Sequence, residues 1–173
     1  MSASVRKGKA IVDKFDPDSG WVGIYQGEAS FSGRYRESPD GKYLVAFNSS
    51  HNKVVENREE WVAGEVCLVK NSEKVLWRKT LVSPGYAAVS NDGKVVVKDG
   101  LKQEGGYFSR PVMGGKLYVF DNRGDIVVEE RFPCNIGPCA ISADGRYVAV
   151  FTSLIFKPGR FSGTTRITVL DGF

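Results

Sequence analysis

One phrase recurs three times at a fixed interval: Ser38-Pro-Asp-Gly-Lys-Tyr-Leu-Val-Ala-Phe47, Ser90-Asn-Asp-Gly-Lys-Val-Val-Val97 and Ser142-Ala-Asp-Gly-Arg-Tyr-Val-Ala-Val-Phe151. The aspartates stand at 40, 92 and 144, so both intervals are 52 residues. Equal spacing across a chain of 173 residues restricts the fold to an assembly of like units. Asp-Gly is turn chemistry, because glycine accepts positive φ, and the apolar run after it predicts a β-strand. Tyr147-Val-Ala-Val-Phe151 is apolar on both faces, which predicts a sheet packed on both sides.

Each unit continues into a second strand pair. Lys116 to Asp121 and Asp125 to Phe132 flank Asn122-Arg-Gly124, and Glu65 to Val69 and Lys74 to Leu81 flank Asn71-Ser-Glu73. The last unit offers only Arg166 to Asp171, so its fourth strand is missing. Gly8 to Phe15 aligns with Gly124 to Phe132 and reads as that missing strand. Residues 15 to 33 are irregular, either an ornate loop or a short extra hairpin. No stretch holds a helical period, so the whole chain, 1–173, reads as a single all-β repeat domain with units at 34–81, 86–132 and 138–171 and about eleven strands from 34 to 171.

Composition narrows the function classes. The charge of +4 comes from 24 basic and 20 acidic side chains mixed along the chain, which does not imply nucleic acid. No apolar run approaches the ~20 residues of a membrane span, and no secretory signal is visible at Met1. Three cysteines, an odd number, fit free thiols in a reducing compartment, so the expected location is the cytoplasm.

The phrases Cys139-Ala-Ile-Ser-Ala-Asp-Gly-Arg-Tyr-Val-Ala-Val150, Lys116-Leu-Tyr-Val-Phe-Asp-Asn-Arg-Gly124 and Val75-Leu-Trp77 resemble β-propeller blades of the WD-repeat and quinoprotein-like kind, over about residues 34 to 171. The resemblance implies three four-stranded blades, whereas propellers typically close with four to eight. Three resolutions stand open. Two chains pair as a homodimer into one six-bladed ring, each N-terminal strand 8–15 completing the partner's last blade. The chain is one piece of a propeller split between polypeptides. Or three four-strand units close as a β-trefoil.

In a propeller the loops between second and third strands share one face with the links between blades. Here those loops are long: 48–64, 98–115 and 152–165. Each carries an aromatic beside polar or basic residues, the pairing that anchors interfaces: His51, Arg58 and Trp61; Tyr107, Phe108 and Arg110; Phe156, Lys157, Arg160 and Phe161. Arg34 and Arg36 are the other candidates, since the first unit's inner strand is charged where the others are apolar. Charges lining a central channel hold an anion, or pair across an interface.

Catalytic groups are sparse. His51, in Ser49-Ser-His-Asn52, is the single histidine; a triad would need a carboxylate to orient it, and a lone loop histidine is usually polar surface. Cys134 and Cys139 are too alone for a tetrahedral zinc site, and no phosphate loop is present. The expectation is therefore a non-enzymatic interaction module presenting loops to a protein or peptide partner, with no cofactor and no metal. The alternative is a binder of a small ligand, a carbohydrate or an anion. A hydrolase ranks third.

Overall fold

The computed structural model describes residues 9–16, 20–55, 58–100, 114–153 and 165–173. It is all-β, with no helix among the described residues. Fifteen strands are assigned: β1 (Ile11–Asp16), β2 (Trp21–Gln26), β3 (Ala29–Glu37), β4 (Tyr43–Asn48), β5 (His51–Val55), β6 (Arg58–Val62), β7 (Gly64–Lys70), β8 (Lys74–Leu81), β9 (Pro84–Val89), β10 (Val95–Gly100), β11 (Gly115–Phe120), β12 (Ile126–Phe132), β13 (Asn135–Ile141), β14 (Tyr147–Ser153) and β15 (Thr165–Asp171). They form three antiparallel sheets and a hairpin. Sheet 1 has the order β1-β2-β3-β4-β7-β8, sheet 2 is β9-β10-β11-β12, sheet 3 is β13-β14-β15, and β5-β6 stands apart. There are more strands than expected because the loop after β4 folds into its own hairpin and the irregular stretch before residue 34 supplies β2.

The three Ser-x-Asp-Gly phrases build the turns β3–β4, β9–β10 and β13–β14. In the first, the Ser38 hydroxyl donates to Asp40 Oδ1 at 2.7 Å and accepts from the Tyr43 N–H at 3.0 Å, while the Gly41 N–H donates to the Ser38 carbonyl at 2.8 Å. Ser142 and Asp144 repeat the pattern, and the Ser90 hydroxyl likewise donates to Asp92. The conserved chemistry within the chain is thus a side-chain-capped turn.

The sheets stack face to face through shared cores. Tyr43, Val45 and Phe47 of β4, with Val66 and Leu68 of β7, pack on Val95 and Val97 of β10 and Tyr118 and Phe120 of β11. The other face of sheet 2, with Val96, Leu117 and Val119, packs on Cys139, Val148 and Val150 of sheet 3. The rear face of sheet 1 buries Val22, Ile24, Phe31, Leu44, Ala46, Cys67 and Val69 against one another, with no residue from another sheet among the described residues. Sheet 1 therefore curls on itself. The Ala10 N–H reaches the Glu73 carbonyl at 2.8 Å, and Arg78 of β8 donates to the Ser30 carbonyl at 3.0 Å, drawing the two margins together.

Two expectations are corrected here. The segment expected to complete the last blade lies in sheet 1: Ile11, Val12 and Asp13 of β1 pair with Tyr25, Ile24 and Gly23 of β2. The physical reason is proximity. The irregular stretch is a hairpin, β2–β3, closed by Gly27 at φ 62°, and it offers β1 an edge a few residues away. Closing that short loop costs less entropy than reaching sheet 3. The first unit accordingly has six strands in its sheet, not four. The second correction follows: the strand that carries Arg34 and Arg36 is not the innermost of its sheet, because β2 pairs with β3 from Ala29 to Arg34. The three strands of sheet 3 are as expected.

Candidate functional site

The strand directions place the links after β4, β8 and β10 at one rim, opposite the Ser-x-Asp-Gly turns. At that rim, between sheets 1 and 2, lies an open cleft of about 490 Å³ lined by Trp21, Ser32, Arg34, Phe47, Asn48, Ser49, His51 and Gly85.

Register assembles its wall. Trp21 of β2 stands directly opposite Arg34 of β3, and Arg34 opposite Phe47 of β4. Directly opposed residues present their side chains on the same face, so an indole, a guanidinium and a phenyl ring form one row. Phe47 is sunk in the core between the sheets, whereas Trp21 is 43% exposed. Arg34 is exposed and makes no ion pair or hydrogen bond among the described residues. His51 opens the β5–β6 hairpin and is exposed, with no carboxylate hydrogen-bonded to it among the described residues.

The floor is fixed by hydrogen bonds within sheet 1 and from its β4 end to the start of sheet 2. Asn48 donates to the Ser32 carbonyl at 3.2 Å and accepts from the Glu65 N–H at 2.8 Å, so its amide is spent on structure. Ser49 donates to the Pro84 carbonyl at 3.1 Å, and the Ser50 hydroxyl meets that of Ser83 at 2.9 Å. Behind them Asp99, 2% exposed, accepts from the Val82 and Ser83 N–H groups at 3.2 and 2.6 Å, pinning the link from β8 to β9. Burial nevertheless raises the Asp99 carboxyl above its ordinary range, the two N–H bonds opposing. Gly85 leaves the cleft open on the sheet 2 side, and Lys98 Nζ lies 3.8 Å from where a Cβ on Gly85 would stand. Among the described residues no carboxylate lines the cleft, and its described lining is aromatic and cationic.

Of the residues singled out in the sequence, Arg34 lines the cleft. Arg36 lies on the same face of β3, its guanidinium bonded to the Tyr35 carbonyl at 3.0 Å and 5.7 Å from the Tyr86 ring centre. Trp61 stands on β6, partly exposed, opposite Asn52 in the hairpin, and does not line the cleft. Tyr107, Phe108, Arg110, Phe156, Arg160 and Phe161 lie outside the described residues. Sequence reasoning missed Trp21, which stands after Gly20 in a stretch with no repeat counterpart. An exposed aromatic outside the repeat was the available signal.

The cysteines are chemically quiet. Cys67, Cys134 and Cys139 are free and buried, and burial pushes the Cys67 and Cys139 thiols up to about 12. Among the described residues no three His, Cys, Asp or Glu side chains are placed to hold a metal ion, and no helix is long and apolar enough to cross a membrane.

No protein-family model matches the sequence, and no curated protein does. Among solved structures, the chain is similar to a chain of hydrazine synthase from Kuenenia stuttgartiensis, at 14% identity and a TM-score of 0.49. The match covers 90% of this chain and 46% of that one, so this chain spans less than half of its length.

Proposed function

We propose that the chain is a non-enzymatic interaction module of propeller-type blades that binds, at its rim cleft, a peptide segment pairing a carboxylate with an apolar side chain. The observation that carries this reading is the row Trp21–Arg34–Phe47, which sets a guanidinium with no hydrogen bond or ion pair among the described residues beside a half-exposed indole. Trp and Arg are the residues most enriched among interface hot spots. An arginine in a cleft with no carboxylate among its described lining residues is a ready bidentate partner for one from outside. The blade reading is supported by units that each fold as a sheet in sequence order, stacked through their faces.

The test is a binding screen with short peptides that place Asp or Glu beside Leu or an aromatic residue. Binding that is lost in Trp21→Ala and Arg34→Ala, with melting temperature unchanged, supports the module. Binding that survives both substitutions overturns it.

A second reading is favoured by the size of the cleft, which falls within the range of small-molecule sites. In that case small carboxylates such as benzoate and glucuronate raise the melting temperature by mass action, and the peptides do not.

A further inference from the structure

Sheet 3 presents to solvent the same face that sheet 1 uses to seat sheet 2. The correspondence holds residue by residue. Across β4–β7, Phe47 opposes Val66, Val45 opposes Leu68, and Tyr43 opposes Lys70. Across β14–β15, Phe151 opposes Ile167, Ala149 opposes Val169, and Tyr147 opposes Asp171. Both sets follow a Ser-x-Asp-Gly turn closed by the same bond, from the Ser N–H to the Tyr carbonyl five residues on. In sheet 1 the apolar members of this set are 0 to 7% exposed, because sheet 2 covers them. In sheet 3 Ile167 is 70% exposed, Val169 60%, Tyr147 41% and Phe151 39%. These are four of the ten large hydrophobic residues exposed among the described residues, gathered on one face. A contiguous apolar patch of this kind marks an interaction surface.

We infer that this face seats a second copy of the chain, face to face across a two-fold axis. What the second copy can offer decides the geometry. Its sheet 2 is covered on both faces, and the rear face of its sheet 1 is filled by its own β1 and β2. Among the described residues, the open apolar sheet face it has left is the same one. A surface that meets itself is isologous and closes at two copies, with no runaway stacking. The centre of the face is uncharged, so no like charges oppose each other. At one end stand Arg146, its guanidinium 5.6 Å from the Tyr147 ring centre, and Asp171. With the axis along the strands, that end meets its own copy and each arginine faces the other chain's aspartate. This contact differs from the strand exchange expected from the sequence and is independent of the rim cleft.

The test is sedimentation equilibrium of the intact chain across the micromolar range. The expected mass is twice 19.0 kDa, and Val169→Lys is expected to reduce it to one chain with the far-ultraviolet circular dichroism unchanged. A single-chain mass for the parent across that range overturns the inference, as does a Val169→Lys protein that stays paired. Should Val169→Lys fail to fold, Val169→Cys treated with a short bis-maleimide is the second route, because the native thiols are buried. A covalent pair from Val169→Cys, and none from Glu28→Cys, supports the face. Equal yields from the two, or none from either, overturn it.

Discussion

The backbone N–H of Asp40 donates to Oδ1 of Asn91, 3.0 Å away, tying the turn of the first unit to the turn of the second. The Asn91 N–H in turn donates to the Ala143 carbonyl at 2.9 Å, which carries the tie to the third. The variable position of the phrase, Pro39, Asn91 or Ala143, is therefore not idle. Asparagine in the middle unit accepts with its side chain and donates with its backbone, so one residue joins three sheets at one rim. Asn91→Ala removes the first of these bonds and should lower stability by about 1 kcal/mol. Urea unfolding with an unchanged m-value measures it, and an unshifted midpoint would show that the Asp40–Asn91 bond contributes nothing.

Gly93 sits at φ 83°, and a Cβ there would stand 2.9 Å from Cε1 of Tyr43 in the neighbouring sheet. Gly27, at φ 62°, has nothing within 4 Å. Both substitutions to alanine carry the left-handed penalty of roughly 1 kcal/mol. Gly93→Ala should cost clearly more, because the ring of Tyr43 must shift within a packed core. Equal losses for the two variants, read from thermal melts, would mean that the turn moves freely against sheet 1.

The units and their turns were legible in the sequence because the turn chemistry is local: hydroxyl, carboxylate and glycine lie within four residues. The facing of the strands was not. In units one and three the Ser N–H bonds a carbonyl five residues on, as Ser38 does with Tyr43. In unit two Ser90 bonds Lys94, four residues on. The constant spacing of 52 thus hides a one-residue slip, and a slip of one turns every side chain to the other face. Val95, aligned with Tyr43 by spacing, points back towards sheet 1, and Val96 takes the forward place. The cleft was half legible. Arg34 stood out as a charge in an apolar position, but Trp21 reaches the site only through a β2–β3 hairpin that has no counterpart in the repeat. The destination of β1 was hidden for the same reason, since an alignment to the repeat cannot show a nearer edge.

Acid should loosen the Ser-x-Asp-Gly rim. Hydrogen bonding from the Lys42 ammonium, and then from the Ser38 hydroxyl, holds the Asp40 carboxyl at about 2 against an ordinary 3.8. Ser142, helped by the Arg146 N–H, lowers Asp144 in the same direction. A carboxyl depressed by folding contributes stability that is present above its unfolded pKa and is lost as pH falls through the folded one. The contribution of Asp40 should therefore be full above about pH 4 and fade towards pH 2. Asp99 works the other way, because burial raises it, so protonation relieves a cost as acid is added. Asp40→Asn should flatten the acid limb of a stability–pH profile. Asp99→Asn should steepen it. Superimposable profiles for parent and Asp40→Asn would contradict the assignment.

Thiol labelling should show sheet 3 opening before sheet 1. Cys67 lies in the cluster that sheet 1 closes on itself, and Cys139 in the core between sheets 2 and 3. Both thiols are buried and pushed up to about 12, so neither presents a thiolate at neutral pH while its core is closed. Labelling then reports local opening, whose free energy follows how much each element buries. Sheet 1 has six strands with both faces covered, whereas sheet 3 has three strands and, in a single chain, one covered face. In urea below the unfolding midpoint, peptide mapping of maleimide adducts should find Cys139 modified well before Cys67. Raising protein concentration should slow Cys139 and leave Cys67 unchanged if a second copy covers the free face. Equal rates for the two thiols would mean that only global unfolding exposes them.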